Sequence, residues 1–82
     1  MDASRQSLLS TFGRAVRQRR VTLGISQEQL AHRANLDRTY ISGIERGVRN
    51  PSLTALASIA YGFGITIAEL LEGVSITEED HD

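Results

Sequence analysis

The sequence predicts an all-α fold, a compact bundle of five short helices. Apolar residues recur at three- and four-residue spacing, and no stretch shows the alternation typical of a strand. A serine, threonine or aspartate stands before four of the apolar stretches, where these residues cap helices. The 82 residues suffice for one domain, and there is no cysteine to cross-link it.

The first predicted helix runs from about Ser7 to Leu23. Its apolar stripe has a helical period, and Gly24 is a suitable residue to end it. The segment RQRR at 17–20 lies in its last turns, where cations favour the helix dipole. The stripe consists of Leu8, Leu9, Phe12, Val16 and Leu23.

Two further helices follow with a very short connection. SQEQ at 26–29 is a capping box that begins helix 2 at Ser26, and Asn35 tolerates the left-handed backbone that ends it. Helix 3 has Asp37 as its N-cap and ends at Gly47. Because about three residues join the two helices, we predict a helix-turn-helix. Its inner positions are Leu30, Ala31, Ala34, Leu36, Ile41 and Ile44.

The last two predicted helices complete the bundle. Helix 4 begins near Ser52, after Pro51, and ends at Gly64. Helix 5 begins at Thr66, where Glu69 three residues later forms a second capping box. We predict a single helix-turn-helix domain over residues 1–72 and a short acidic tail over residues 73–82.

The charge is unevenly distributed, although the net charge is only −1. Residues 1–68 hold all nine basic residues, every one an arginine, and four acids. Residues 69–82 hold six acids and no base. A basic body with an acidic tail predicts an anionic partner for the body.

Helix 3 has two unlike sides. At about 100° per residue, Ile41 and Ile44 face the core. The opposite side carries small or hydrogen-bonding residues, with Arg38 on its flank. We expect a glycine there to let a ligand approach the backbone closely, although chance on a tolerant surface is the alternative. The outward residues are Thr39, Ser42, Gly43 and Arg46.

The motifs LGISQEQLA, LDRTYISGIERG and RNPS, within about residues 12–71, resemble the Xre/Cro-type family of helix-turn-helix regulators. The stretch NLDRTYISGIERGVRNPSL is most similar to the controller proteins of restriction–modification systems. The resemblance implies a phage-repressor DNA-binding fold and a dimeric regulator of a near-palindromic operator, which controls its own restriction–modification operon. An antitoxin, a prophage repressor or a protein-interaction module without DNA binding are the alternatives.

The resemblance also implies which side chains meet DNA. Base contacts are expected from the outward side of helix 3, because arginine with guanine is the commonest specific pair in the major groove. Either arginine could instead bind phosphate, and Tyr40 could have a purely structural role. The base-contact candidates are Arg38, Thr39, Ser42 and Arg46. The phosphate candidates are Gln27, Tyr40, Arg49, Asn50 and Arg17.

Two structural roles are also expected. The resemblance implies that Arg20 and Glu45 form an ion pair that holds helix 1 against helix 3. One recognition helix reads only a few base pairs, so such proteins usually bind as dimers. Apolar residues of helices 4 and 5 are the candidates for the dimer interface, and filling the monomer core is their alternative. They are Ile59, Phe63, Ile65, Ile67 and Leu70.

Other functions lack support in the sequence. His32 and His81 are far apart and no cysteine accompanies them, so we expect no metal or other cofactor. No catalytic arrangement is recognisable, and we expect no enzyme. There is no apolar run of about 20 residues and no signal-peptide pattern, so we expect a cytoplasmic protein. The expected partners are double-stranded operator DNA, a second copy and RNA polymerase, with no membrane and no small-molecule substrate.

Overall fold

The computed structural model describes residues 3–75, and within that range the chain forms five helices and no strand. The prediction of an all-α, five-helix fold is confirmed. The predicted acidic tail lies outside the described residues from position 76 onward. The helices are α1 (Ala3–Leu23), α2 (Gln27–Ala34), α3 (Arg38–Glu45), α4 (Leu53–Phe63) and α5 (Ile67–Leu70).

Side-chain caps fix where the helices begin. The Ser26 hydroxyl accepts from the Gln29 amide at 3.0 Å, and the Gln29 side chain accepts from the Ser26 amide at 2.8 Å. The same reciprocal box joins Thr66 and Glu69 at α5. Each cap supplies an acceptor for a backbone donor that has no partner within the helix. The N-caps of α2, α3, α4 and α5 are Ser26, Asp37, Ser52 and Thr66.

The turn between α2 and α3 depends on one left-handed residue. Asn35 has φ 56° and ψ 43°. The next amide, that of Leu36, donates to the carbonyl of Ala31 at 2.9 Å and so closes the end of α2. Asparagine adopts this backbone more readily than most residues because its side chain hydrogen-bonds locally. The predicted short turn is therefore present.

Some helix bounds and burial differ from the predictions. Helix α1 begins at Ala3, and the side chain of Gln6 in its extra turn donates to the Gly47 carbonyl at 3.2 Å. Helix α3 ends at Glu45, because Gly47 is left-handed, with φ 76°. Leu23 is exposed, and Ile25 in the following loop is buried in its place.

Two glycines allow the helices to cross closely. A Cβ on Gly13 would lie 2.7 Å from the Glu45 carbonyl oxygen, so α1 meets the backbone of α3. A Cβ on Gly62 would lie 3.2 Å from the Ala34 amide nitrogen, where α4 crosses α2. Helix α3 is thus supported from behind by α1 and α2. The largest fully buried side chains are Val16, Leu30, Ile41, Ile44 and Ile59.

Candidate nucleic-acid interface

Helix α3 presents a polar side to solvent while its other side is fixed in the core. Ile41 and Ile44 are fully buried. Burial of a side chain of this size contributes about 1.5–3 kcal/mol, which anchors the helix. Three of the four residues predicted to contact bases are exposed and the fourth, Ser42, is partly exposed. The exposed three are Arg38, Thr39 and Arg46.

Gly43 is not on the open surface, which corrects the expectation of a close approach by a ligand. The chain leaving α3 folds back over this glycine, and the Val48 amide donates to the Gly43 carbonyl at 3.0 Å. A Cβ on Gly43 would lie 3.2 Å from the Cβ of Arg49. Gly43 does lie on the side of α3 away from Ile41 and Ile44, but the side chains of Val48 and Arg49 occupy the space outside it. The glycine is therefore explained by packing within the chain.

Three of the predicted base-contact residues form hydrogen bonds within the protein. The Nε of Arg46 donates to the Ser42 hydroxyl at 3.4 Å. The carboxylate of Asp37 accepts from the backbone amide of Thr39 at 3.0 Å and from its hydroxyl at 2.8 Å. These two bonds hold the pKa of Asp37 below its usual value. The first turn of α3 is therefore ordered without a ligand.

Arg49 and Tyr40 lie together at the flank of α3. The guanidinium carbon of Arg49 is 4.9 Å from the centre of the Tyr40 ring, a cation–π distance. Tyr40 is partly buried, packing against the core with its ring, whereas Arg49 and Asn50 are exposed. The structure therefore brings two of the predicted phosphate contacts, Tyr40 and Arg49, together on this flank.

Behind α3, Arg20 and Glu45 form the ion pair that the resemblance implies. The Nε of Arg20 is 2.7 Å from one Glu45 oxygen and a terminal nitrogen is 3.0 Å from the other, so the pair is bidentate. Another terminal nitrogen donates to the Ile25 carbonyl at 2.9 Å. The side chains are 13% and 4% exposed. The pair thus ties α1, the following loop and α3 together.

Gln27 joins this buried network, which the sequence did not reveal. Its side-chain amide donates to Glu45 at 3.0 Å. Burial raises the pKa of Glu45, but hydrogen bonds from Arg20 and Gln27 and the charges of Arg20 and Arg17 outweigh it and hold the pKa below its usual value. Gln27 remains partly exposed, so contact with phosphate stays a prediction, as it does for the exposed Arg17.

The residues predicted for a dimer interface are mostly core residues. Ile59 has no exposed surface, so its assignment to an interface is wrong. Phe63 and Leu70 are also buried, and their place in the core explains why these helices are so apolar. Only Ile65 and Ile67 are partly exposed, and their role at an interface stays a prediction.

An exposed apolar stripe on α4 was not among the predicted sites. Leu53 is 71% exposed and Tyr61 is 80% exposed, with the exposed Ala57 midway between them. These residues are four apart, so they lie along one side of the helix. The spacing is visible in the sequence. The sequence does not single out this stripe, because the opposite side of α4 is apolar too and only the packing distinguishes the two sides.

Among residues 3–75, no group of three or more histidine, cysteine, aspartate or glutamate side chains could hold a metal ion. None of the helices described there is long and apolar enough to cross a bilayer.

Fold and surface together define a helix-turn-helix domain, and a family model described as helix-turn-helix matches residues 16–70. Control protein C.BamHI of Bacillus amyloliquefaciens is 46% identical over 66 residues, covering 79% of this chain and 82% of that protein. Control protein C.MunI of Mycoplasma sp. is 44% identical over 64 residues, covering 77% and 86%. The chain belongs to the helix-turn-helix family, in the group of restriction–modification controller proteins.

Solved controller structures share the fold. The controller C.AhdI from Aeromonas hydrophila is 44% identical with a TM-score of 0.73, covering 76% of this chain and 94% of that one. The C.Esp1396I controller, solved as a tetramer in complex with its natural 35 base-pair operator, is 40% identical with a TM-score of 0.75. That match covers 82% of this chain and 88% of the other.

Proposed function

We propose that the protein is a sequence-specific regulator of transcription that binds a near-palindromic operator as a homodimer. Helix α3 of each subunit enters one of two successive major grooves. The observation that carries the proposal is the two-sided construction of α3, with Ile41 and Ile44 fully buried and Arg38, Thr39 and Arg46 exposed. An anchored helix with an exposed hydrogen-bonding side is what major-groove reading requires.

The contacts divide into two kinds. Arg38, Thr39, Ser42 and Arg46 read base edges, and Arg38 and Arg46 are the strongest determinants. Residues around them contact phosphate and set the register of the helix without reading sequence. The phosphate contacts are Gln27, Tyr40, Arg49, Asn50 and Arg17.

The biological role follows from kinship with the controllers. The chain regulates the operon of a restriction–modification system, including its own gene, by helping or blocking RNA polymerase in the cytoplasm. The C.Esp1396I tetramer on its operator supports operator binding in this group. The proposal assigns the chain no catalytic activity and no cofactor. Its domain comprises residues 1–72, followed by the acidic segment 73–82.

A DNA-binding titration tests this function. Fluorescence anisotropy with DNA from upstream of the gene should show specific binding that weakens steeply with salt, because phosphate contacts release counterions. Arg46→Ala should cost about 1–3 kcal/mol and relax specificity at one operator position, whereas Arg49→Ala should weaken all sequences alike. Arg19→Ala is the matched control, since the Arg19 guanidinium lies over the Phe63 ring of α4 and donates to the Glu69 carbonyl of α5.

Two outcomes would refute the proposal: equal affinity for upstream and unrelated DNA, or no dependence on salt. If Arg19→Ala lost as much specificity as Arg46→Ala, the loss in Arg46→Ala would reflect the removal of a positive charge and not of a base contact.

We further propose that the dimer interface includes the exposed stripe Leu53, Ala57 and Tyr61 together with Ile65 and Ile67. An apolar row of this length on a small protein is typical of a contact surface. Sedimentation at micromolar concentration should show a species of twice the 9.0 kDa subunit mass.

Tyr61→Glu should shift the dimer toward monomer without unfolding it, because Tyr61 is largely outside the core. Gln18→Glu on the exposed side of α1 is the control and should leave the dimer intact. A wild-type protein that sediments only as a monomer would exclude the interface.

A further inference from the structure

The hydroxyl of Thr39 is already committed within the protein. Its Oγ1 lies 2.8 Å from Oδ1 of Asp37, and the same oxygen accepts the Thr39 backbone amide at 3.0 Å. A hydroxyl has a single proton, and an ionised carboxylate can only accept. The lowered pKa of Asp37 keeps it ionised at neutral pH. The hydroxyl proton of Thr39 therefore points to Asp37.

Thr39 is left with acceptor lone pairs and a methyl group to offer a ligand. In the major groove, an acceptor matches the amino donors of adenine and cytosine, and a methyl group matches the methyl of thymine. Guanine presents only acceptors at that edge, N7 and O6. We propose that Asp37 fixes the hydrogen-bond polarity of Thr39 and so excludes guanine from the base that Thr39 reads.

Contact with DNA strengthens this polarity. If the Thr39 hydroxyl turned toward guanine, the Asp37 carboxylate would lose one of its two donors. It would do so beside negative phosphates and with less water, where an ionised acceptor most needs donors. Asp37 thus acts as a positioning residue for specificity, in addition to capping α3. The inference rests on the proposed DNA binding.

The cap and the polarity can be separated by substitution. Asp37→Gly removes the acceptor at little cost to the helix, since glycine is tolerated at an N-cap. Asp37→Asn removes the same charge but keeps a side-chain oxygen that can accept from Thr39. Because both variants lose the charge and only Asp37→Asn keeps the acceptor, a difference between them measures the effect of the acceptor alone.

The experiment measures affinity for operators that carry each of the four base pairs at each position under α3. Thr39→Ala first identifies the position that Thr39 reads. There, wild type and Asp37→Asn should both disfavour guanine by about three- to tenfold, the worth of one hydrogen bond. In Asp37→Gly, the hydroxyl is released to donate, and this discrimination should fall below about twofold on the same scale.

Thr39→Val gives an independent test, because the cap from Asp37 to the backbone amide is retained. It should bind the guanine operator as well as wild type does. Thermal melts should first show that each variant is folded at the assay temperature.

Four results would overturn the inference. Wild type could prefer guanine at that position, or Thr39→Val could bind the guanine operator more weakly than wild type does. Alternatively, Asp37→Gly could discriminate against guanine as strongly as wild type does, or Thr39→Ala could leave every base preference unchanged. A wild-type protein without any sequence preference would refute the proposed function as well.

Discussion

The buried ion pair offers the sharpest test of how α3 is held. In Glu45→Gln, the guanidinium of Arg20 loses its counter-charge while both side chains remain largely buried, at 13% and 4% exposure. Removing one partner of a buried pair costs about 3–5 kcal/mol. Arg20 keeps its bond to the Ile25 carbonyl, and an amide oxygen still accepts from it. We therefore expect the low end, about 3 kcal/mol.

That cost is large for a domain of this size. The free energy of unfolding of 82 residues is about 4–12 kcal/mol. A loss of about 3 kcal/mol should lower Tm by roughly 12–24 °C. Urea denaturation followed by far-ultraviolet circular dichroism measures the change, with Gln18→Glu as the surface control. A cost below about 1 kcal/mol would show that the pair behaves as a solvent-exposed one.

A double-mutant cycle distinguishes pairing from simple packing. Arg20→Met leaves a buried carboxylate and should be destabilising, whereas the double variant Arg20→Met, Glu45→Leu should be close to wild type, because apolar replacement of both partners is often neutral. If Arg20→Met and Glu45→Leu each cost about 3 kcal/mol, a double variant close to wild type corresponds to a coupling of about 6 kcal/mol. Additive single costs would refute the reasoning, since they would mean that neither charge depends on the other.

The titration of Glu45, the crossing of α1 and α3 and the turn after α2 can each be tested. Folding lowers the pKa of Glu45, so the stability that its ionised form contributes should be complete above pH about 4.3 and be lost as the pH falls through its folded-state pKa. The difference in free energy of unfolding between wild type and Glu45→Gln, measured by urea denaturation, should therefore shrink at acid pH. A constant difference at acid pH would contradict this. Gly13→Ala should destabilise the protein by about 1–3 kcal/mol, although alanine has the better helix propensity, because the added Cβ meets the backbone of α3. Thermal melts test this, with Gln18→Ala as the control. A stabilised Gly13→Ala protein would refute the close crossing. Asn35→Ala should cost about 1–2 kcal/mol and Asn35→Gly far less, and equal Tm values for both would exclude the left-handed turn.

The sequence predicted much of this architecture because its signals are local. A capping box needs only residues three apart, so Ser26 and Thr66 mark helix starts without knowledge of the rest of the chain. Asn35 likewise predicted its own backbone conformation. The two sides of α3 follow from helical periodicity, since Ile41 and Ile44 recur at the spacing of one helix side.

Contacts between distant segments were beyond such local signals. Gly43 has the helical-wheel position of a surface residue, and only the return of Val48 and Arg49 over it shows that the space is filled. Ile59 and Tyr61 are both apolar residues of α4, yet one is fully buried and the other 80% exposed, because α2 packs on only one side of that helix.

The sequence by itself therefore determined the helices, their caps and the polar side of α3, since hydrogen bonding and periodicity within a few residues dictate them. Only the tertiary structure decided which apolar residues form the core and that Gln27 joins the ion pair. The physical reason is that burial and side-chain hydrogen bonding depend on where the whole chain brings each group, and on which rotamer that environment selects.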